Sequence, residues 1–269
     1  MDVKNVIIIA LVFLFYLPVF SGLVDSWSID PYYSHGFIVP LISAYFAWTK
    51  RKDLLASDKD FLYGAVSLAA GLAVYGIGIL YKSLFVSAFS FIIVLAGLIL
   101  AFYGRKVLKE LSFPIAFLIF MVPLPYADYA STDLETVTAS LSAYVVGALG
   151  IPVEHNGSQI KLSDSLFVIG ETCSGLRTML ALFALAAVYA YVVNGSYPKK
   201  ALLFLSALPV ALAANVFRVV LILLIANYFG TEFAMHFFHD ASSILLFLLA
   251  FVFLIIVGRC LGCKGLRNI

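Results

Sequence analysis

Charged side chains are scarce in this sequence, and their scarcity excludes most classes of soluble protein. Asp, Glu, Lys and Arg make up 12% of the 269 residues, hydrophobic residues make up 63%, and the mean hydropathy is +1.06. The 17 basic and 15 acidic residues nearly cancel to a net charge of +2, so nothing in the charge indicates a nucleic-acid partner. The composition predicts an all-α polytopic membrane protein.

Cysteine is scarce as well, with three residues in the chain. Three thiols cannot all pair, and the predicted topology places Cys260 and Cys263 on the opposite membrane side from Cys173, which excludes a disulfide framework. At least one thiol therefore stays free. Cys260 and Cys263 follow the last apolar run among basic residues, and two interpretations of them are open: acylation, or no role.

Long apolar runs are abundant. The first has no strongly basic start and no small-residue cleavage site, so we expect a retained helix rather than a signal peptide. About eight spans are predicted, at residues 5–24, 33–48, 63–81, 84–103, 111–126, 174–193, 201–228 and 241–257. Thirteen basic residues fall in the segments that are cytoplasmic if the N-terminus is inside, and four do not. This bias predicts a multi-pass cell-membrane protein with both termini in the cytoplasm.

The longest segment without a span, residues 127–171, is then predicted to lie outside the cell. Apolar residues at helical spacing over 128–149 favour a helix at the membrane interface, although a poorly inserted span is an open alternative. Asn156-Gly157, flanked by alternating residues, predicts a small β-hairpin. No repeat or composition shift marks a second domain, so we expect a single membrane domain over residues 1–269.

The stretch from Glu171 through Cys173 to Arg177 places a lone cysteine at the mouth of an apolar run of about 18 residues, long enough to cross a bilayer. Thr172 or Ser174 could cap that helix, so its free N–H groups and positive dipole end would point towards the sulfur. This environment favours the reactive thiolate, on the outer side of the membrane.

Several polar residues are predicted on the same outer side as the cysteine. His35 begins the second span, His236 and His239 precede the last one, and Arg218 lies ten residues before the outer end of the seventh, with Asn215 on the same helical face. A charged residue at that depth costs about 2.5 to 3.5 kcal/mol on insertion scales. We therefore expect Arg218 to face the protein interior and to have a partner.

Simpler interpretations of these residues stay open. Arg218 could form a structural ion pair with Glu171, Asp128 or another acid, and Arg177 could extend to the outer headgroups instead of contacting substrate. His35 and His236 could be ordinary interhelical or interfacial histidines. Glu232, His236 and His239 resemble half of a metal site, but no second dense ligand cluster accompanies them, so neither a metal nor another cofactor is predicted.

A cysteine, a histidine and an arginine at one membrane face favour acyl transfer. A Cys173 thiolate would attack a carbonyl, His239 would exchange the proton, and Arg218 would stabilise the oxyanion or hold the carbonyl. An arginine cannot titrate near neutral pH, whereas imidazole can, so the proton-transfer role falls to the histidine.

These residues resemble the motifs of the exosortase and archaeosortase family of membrane cysteine transpeptidases. Glu171-Thr-Cys173-Ser-Gly-Leu-Arg177 is similar to the family's cysteine motif, Ala214-Asn215-Val-Phe-Arg218 to its arginine motif, and His239-Asp240 to its histidine motif. Tyr33-Ser34-His35-Gly36 is similar to its N-terminal signature. The resemblance implies catalytic roles for Cys173, Arg218 and His239. Glu171, His35, Arg177, Asn215 and His236 are then candidates for substrate binding.

The resemblance also implies a substrate, namely secreted proteins that end in a sorting signal made of a short motif, an apolar helix and a basic tail. The product would pass from a thioester to a membrane lipid or another cell-envelope acceptor. Three alternatives are open: a protease with water as acceptor, an anion transporter, and a non-catalytic scaffold.

Overall fold

The computed structural model describes residues 3–52, 59–162, 165–170, 174–234 and 239–267. This part of the chain is mostly helical and contains one small β-sheet. Its contacts form two compact units, one ending at Pro125 and the other beginning at Tyr126. That the chain is a single membrane domain stays a prediction.

All the regular secondary structure in the described part of the first unit is helical. Its α-helices are α1 (Val3–Phe15), α2 (Leu17–Ile29), α3 (Ile38–Thr49), α4 (Phe61–Leu80), α5 (Leu84–Glu110) and α6 (Ser112–Phe117), and 3₁₀ helices cover Pro31–Phe37, Lys50–Lys52 and Leu118–Met121.

Proline residues divide two of the predicted spans. The expected helix at 5–24 is interrupted at Tyr16 because Pro18, in the first turn of α2, has no backbone N–H to continue α1. The expected span at 111–126 is a short α6 followed by a 3₁₀ helix, and it stops where Val122 takes an extended conformation (φ −90°, ψ 122°) directly before Pro123.

Helices α4 and α5 form a closely packed pair in the first unit. Gly64, Gly71 and Gly78, spaced seven residues apart on α4, all face α5, and a Cβ on any of them would lie within 2.6 Å of an α5 residue. Small residues at such an interface let two apolar helices approach closely, as is usual for helix pairs in membranes. Helix α5 kinks at Gly104 (φ 86°), directly after the predicted end of that span at residue 103.

The 3₁₀ helix Pro31–Phe37 carries His35 and the N-terminal motif, and neighbouring side chains fix it in place. Tyr33 Oη accepts a hydrogen bond from the backbone N–H of Leu124 at 2.9 Å. The buried indole of Trp27 covers Gly36, so that a Cβ on Gly36 would lie 2.3 Å from the indole Nε1. Glycine at position 36 is therefore required for this packing.

We expect Gly36→Ala to lower stability by about 1–3 kcal/mol, the usual cost of overpacking a buried site. The indole cannot easily move away, because its Nε1 donates a hydrogen bond to the carbonyl of Met121 at 2.8 Å. The measurement is the thermal unfolding temperature of the detergent-solubilised protein. Gly76→Ala is the matched control: it is also helical, has open space around the added methyl, and should be neutral or slightly stabilising. Equal unfolding temperatures for the two variants would contradict this account of Gly36.

The second unit combines helices with a sheet. Its helices are α7 (Ala127–Ala148), α8 (Leu176–Val192), α9 (Tyr197–Leu205), α10 (Ala207–Phe229), α11 (Thr231–Phe233) and α12 (His239–Cys260), and its strands are β1 (Val153–Asn156), β2 (Gln159–Leu162) and β3 (Ser165–Val168).

The predicted hairpin is confirmed as part of a three-stranded antiparallel sheet of order β1-β2-β3. Asn156 pairs with Gln159, so the two turn residues are Gly157 and Ser158, one position later than the sequence pattern suggested. Gly157 has a positive φ of 57°, as a type II′ turn requires of its first central residue. Strand β3 was not predicted.

Helix α7 packs lengthwise on α10, and both helices run towards the sheet. Val146 of α7 and Ile222 of α10 share a buried cluster with Ile160 of the sheet. The apolar stripe used to predict an interfacial helix is largely exposed, whereas small or polar residues such as Ser131, Thr138 and Ser142 are buried against the protein. Such an arrangement is typical of a helix whose apolar face contacts lipid. Its depth relative to a membrane stays a prediction.

Three of the described helical segments are long and apolar enough to cross a membrane: Phe61–Leu80, Leu84–Glu110 and Tyr197–Phe229, which joins α9 and α10. Ser112–Met121, Leu176–Val192 and Leu245–Cys260 are shorter apolar helices. The prediction of a membrane protein is supported, but the count of eight spans is not confirmed. The orientation of the termini also stays a prediction.

Candidate functional site

The predicted site residues differ in how far the structure describes them. Glu171, Cys173 and His236 lie outside the described residues. The backbone of His239 begins α12, but its side chain is also outside the described part. The site is therefore built from the residues around them, starting at the N-terminus of α8.

Helix α8 begins three residues after the cysteine, at Leu176. Gly175 is its N-cap residue, in the left-handed conformation (φ 84°, ψ −1°), which glycine adopts without strain. Ser174 is buried, and its Oγ accepts a hydrogen bond from Leu176 N at 3.3 Å. The predicted hydroxyl acceptor at this helix start is thus present, although it precedes the N-cap position by one residue.

Asn215 on α10 holds the start of α8 against the helix that carries Arg218. A Cβ on Gly175 would lie 2.6 Å from the side-chain carbon Cγ of Asn215, so only glycine permits this approach. Asn215 is 4% exposed, and its Nδ2 donates a hydrogen bond to Thr138 Oγ1 of α7 at 3.1 Å. Three helices therefore meet at one amide group, which gives Asn215 a positioning role between them. Its predicted contact with substrate stays a prediction.

Arg218 is buried in the second unit, with 5% of its surface exposed. It follows Asn215 by one helical turn, about 4.5 Å along α10, on the side of the sheet. Its burial agrees with the prediction that it faces the protein interior. Asp128 lies ten residues before Thr138 on α7, about 15 Å away in the opposite direction, so it is too far to pair directly with Arg218.

Arg177 and His35 are less deeply placed. Arg177, the second residue of α8, has an exposed side chain. His35 belongs to the first unit, where it is half-buried and its ring centroid lies 6.4 Å from that of Tyr33. Glu232, the acid of the half metal site, is exposed in α11, and the side chains of His236 and His239 lie outside the described part of the chain.

A comparison with known protein families identifies the family of this chain. The family model described as transmembrane exosortase (Exosortase_EpsH) matches residues 27–256, which cover all four motifs and most of the chain. The chain belongs to the transmembrane exosortase family. No curated protein and no solved structure matches it. Membership supports a membrane-embedded protein that processes sorting signals, as the motif resemblance implied.

The sequence did not identify Thr138 as part of this exosortase's site. The residue is fully buried, and Ser142, equally buried, lies one turn further along α7 at about the level of Arg218. In the sequence both hydroxyl residues interrupt an apolar pattern, as residues on the solvent-exposed face of a helix do. Only the packing of α7 on α10, 77 residues away in the chain, shows that Thr138 accepts from Asn215.

We expect Thr138→Val to reduce both stability and activity, and Thr138→Ser to keep most of each. Valine has the shape of threonine but cannot accept from Asn215, and a buried donor left without an acceptor costs about 1–3 kcal/mol. The amide would then be free to rotate against Gly175. Unfolding temperature and turnover per folded protein are the measurements. If the valine and serine variants were alike, the hydrogen bond would have no role in holding the site.

Proposed function

We propose that this exosortase is a cysteine transpeptidase that cleaves the C-terminal sorting signal of secreted proteins. Cys173 is the nucleophile, His239 is the proton carrier, and Arg218 is the oxyanion-stabilising group. The contact between Gly175 and Asn215 is the observation that carries the proposal, because it joins the cysteine motif to the arginine motif in the described structure.

The covalent chain limits how far the cysteine can be from the arginine. Two residues span at most about 7 Å, so Cys173 must lie near Gly175. Gly175 touches Asn215, and Arg218 is one turn of α10, about 4.5 Å, further along. The connectivity of the chain therefore supports a site in which the Cys173 thiol lies near the buried guanidinium of Arg218.

Each residue would have a separable role in the reaction. The thiolate attacks the carbonyl carbon of the scissile peptide, and a C–S bond forms while negative charge develops on the carbonyl oxygen. The guanidinium of Arg218, in a site from which water is largely excluded, stabilises that charge. His239 takes the thiol proton when the thiolate forms, and its imidazolium then delivers that proton to the leaving nitrogen. The C–N bond breaks, the amine leaves, and a thioester remains on Cys173.

The proposed substrate is consistent with the predicted topology. A secreted protein with an apolar C-terminal helix and a basic cytoplasmic tail would present its preceding motif at the outer membrane face. The same face would carry Cys173. A nucleophile from a lipid headgroup or another cell-envelope component would resolve the thioester and release the protein in anchored form.

Trapping the thioester tests the function directly. A secreted reporter bearing an apolar helix and basic tail from the same cell would be co-expressed with the enzyme, and the acylated enzyme would be isolated at low pH. We expect a hydroxylamine-sensitive adduct on Cys173, and a reporter whose new C-terminus carries an acceptor by mass spectrometry. An adduct followed only by free carboxylic acid would make the enzyme a protease that uses water. The absence of any adduct, while the reporter is cleaved, would overturn cysteine chemistry.

A further inference from the structure

The chain folds back on itself after α12 to form a C-terminal hook, residues 261–267. Arg267 N donates to the carbonyl of Val192 at 2.7 Å, and Asn194 N donates to the carbonyl of Gly265 at 3.1 Å. The side-chain Nδ2 of Asn194 donates to the carbonyl of Leu266 at 3.1 Å. Cys263 is buried at 2% exposure in the same cluster as Leu203 of α9. The conformation of the hook is therefore fixed by hydrogen bonds and by the burial of Cys263.

The hook brings two basic segments of the chain together. We name the resulting set the basic cluster; it consists of Lys199, Lys200, Arg259, Lys264 and Arg267. Lys199 Nζ lies 3.1 Å from the position of a Cβ on Gly262 in the hook, and the guanidinium carbon of Arg267 lies 6.0 Å from the ring centroid of Tyr191.

No acid in the neighbouring sequence offsets this charge. Residues 193–206 and 257–269 contain neither Asp nor Glu. Neither of the ion pairs found among the described residues, Lys50–Glu110 and Arg105–Asp60, includes a member of the basic cluster. Four of the five side chains are exposed and the fifth, Lys200, is half-buried. Bringing like charges together in this way is unfavourable unless an anion binds among them.

The position of the basic cluster indicates which anion this is. Helix α8 ends at Val192, α9 begins at Tyr197, and α12 ends at Cys260, so the apolar helices of this unit terminate around the cluster. Tyr191 and the 91% exposed Tyr197 flank it, as tyrosines do at the boundary between lipid tails and headgroups. An anion at this level is a phosphate of the adjoining lipid leaflet.

We propose that the basic cluster is a binding site for the phosphate headgroups of anionic phospholipids, in the leaflet predicted to be cytoplasmic. The general bias of basic residues towards the cytoplasmic side would be satisfied by basic residues in any loop on that side. It does not explain why a hydrogen-bonded hook brings the basic cluster together. Basic residues next to a membrane surface attract anionic lipids in this way. Bound lipid stabilises the second unit by neutralising the cluster.

Lipid binding to the purified full-length protein in neutral detergent tests the site. The probes are phosphatidylglycerol, which is anionic, and phosphatidylcholine, which is zwitterionic, measured by native mass spectrometry and by unfolding temperature. We expect phosphatidylglycerol alone to bind and to raise the unfolding temperature. The double change Lys264→Gln and Arg267→Gln should lower its affinity about 30-fold, which is about 2 kcal/mol at 1.4 kcal/mol per tenfold.

A matched control removes the same charge elsewhere. Lys106→Gln with Lys109→Gln also replaces two exposed cations, on α5 of the first unit, and should leave the affinity for phosphatidylglycerol unchanged. An equal loss in the control would mean that only total charge matters, and would overturn the site. An equal stabilisation of the wild type by phosphatidylcholine, or by inorganic phosphate without lipid, would overturn the lipid assignment. Because the hook is held through its backbone groups, both double variants should keep the fold. Without lipid, Lys264→Gln with Arg267→Gln should unfold at or above the wild-type temperature, since the change relieves repulsion within the cluster.

Discussion

Replacing Cys173 with alanine is expected to abolish processing of the sorting signal, with a loss of about four orders of magnitude or more. The proposed reaction passes through a thioester that alanine cannot form, and the oxyanion-stabilising group alone leaves little residual rate. The measurement is the fraction of secreted substrate with a processed C-terminus, determined by mass spectrometry in cells that contain equal amounts of each variant. The variant should also lose the hydroxylamine-sensitive adduct.

Cys260→Ala provides the matched control. Cys260 is a free, exposed cysteine at the end of α12, so its removal should disturb neither the fold nor the reaction. Cys263 would be a poor control, because it is buried and its truncation would also lower stability. If Cys173→Ala kept activity while Cys260→Ala lost it, the nucleophile would be misassigned.

The helical part of the fold was predictable wherever an apolar run is uninterrupted. Phe61–Leu80 and Leu176–Val192 differ from the predicted bounds by one or two residues. The runs with internal prolines were harder, because Pro18 and Pro123 shorten helices that hydropathy alone joins into one span. Hydropathy reports how much apolar surface a segment has, and the backbone hydrogen bonds that proline removes decide where the helix breaks.

The β-sheet shows the limit of local signals. Asn156-Gly157 predicts a hairpin because the turn is a property of neighbouring residues. Strand β3, Ser165–Val168, is a short apolar run, and such a run is equally compatible with a strand or a segment of buried helix. Its pairing with β2 is what makes it a strand.

The candidate site was predictable where a polar residue interrupts a long apolar helix, because such a residue cannot face lipid without a large cost. A charge or amide deep in an apolar helix must face the protein, and Arg218 and Asn215 are both buried as this rule requires. The partner of Asn215 was not predictable, since hydroxyls such as that of Thr138 suit a surface and an interior equally well. The need for glycine at position 175 likewise follows from a contact between distant segments.

Changes at Arg218 should have the second largest effect. We expect Arg218→Met to lower turnover about 100- to 1,000-fold, the usual cost of removing an oxyanion-stabilising donor. Arg218→Lys should fall between methionine and the wild type, because lysine keeps the charge but has no planar fork of donors. Turnover per folded protein and the rate of thioester formation are the measurements, and both should fall together.

A purely structural ion pair at Arg218 would give a different pattern. A buried partner left without its counter-charge is strongly destabilising, so the unfolding temperature of Arg218→Met would drop. Total activity would fall only because fewer molecules are folded. The molecules that remained folded would react at the normal rate. Val219→Ala calibrates this outcome. Val219 is the next residue of α10, is also buried, at 2% exposure against 5% for Arg218, and has no group that could act on a carbonyl. A lower unfolding temperature with unchanged turnover per folded molecule is expected for Val219→Ala. The same result for Arg218→Met would remove the guanidinium from the reaction.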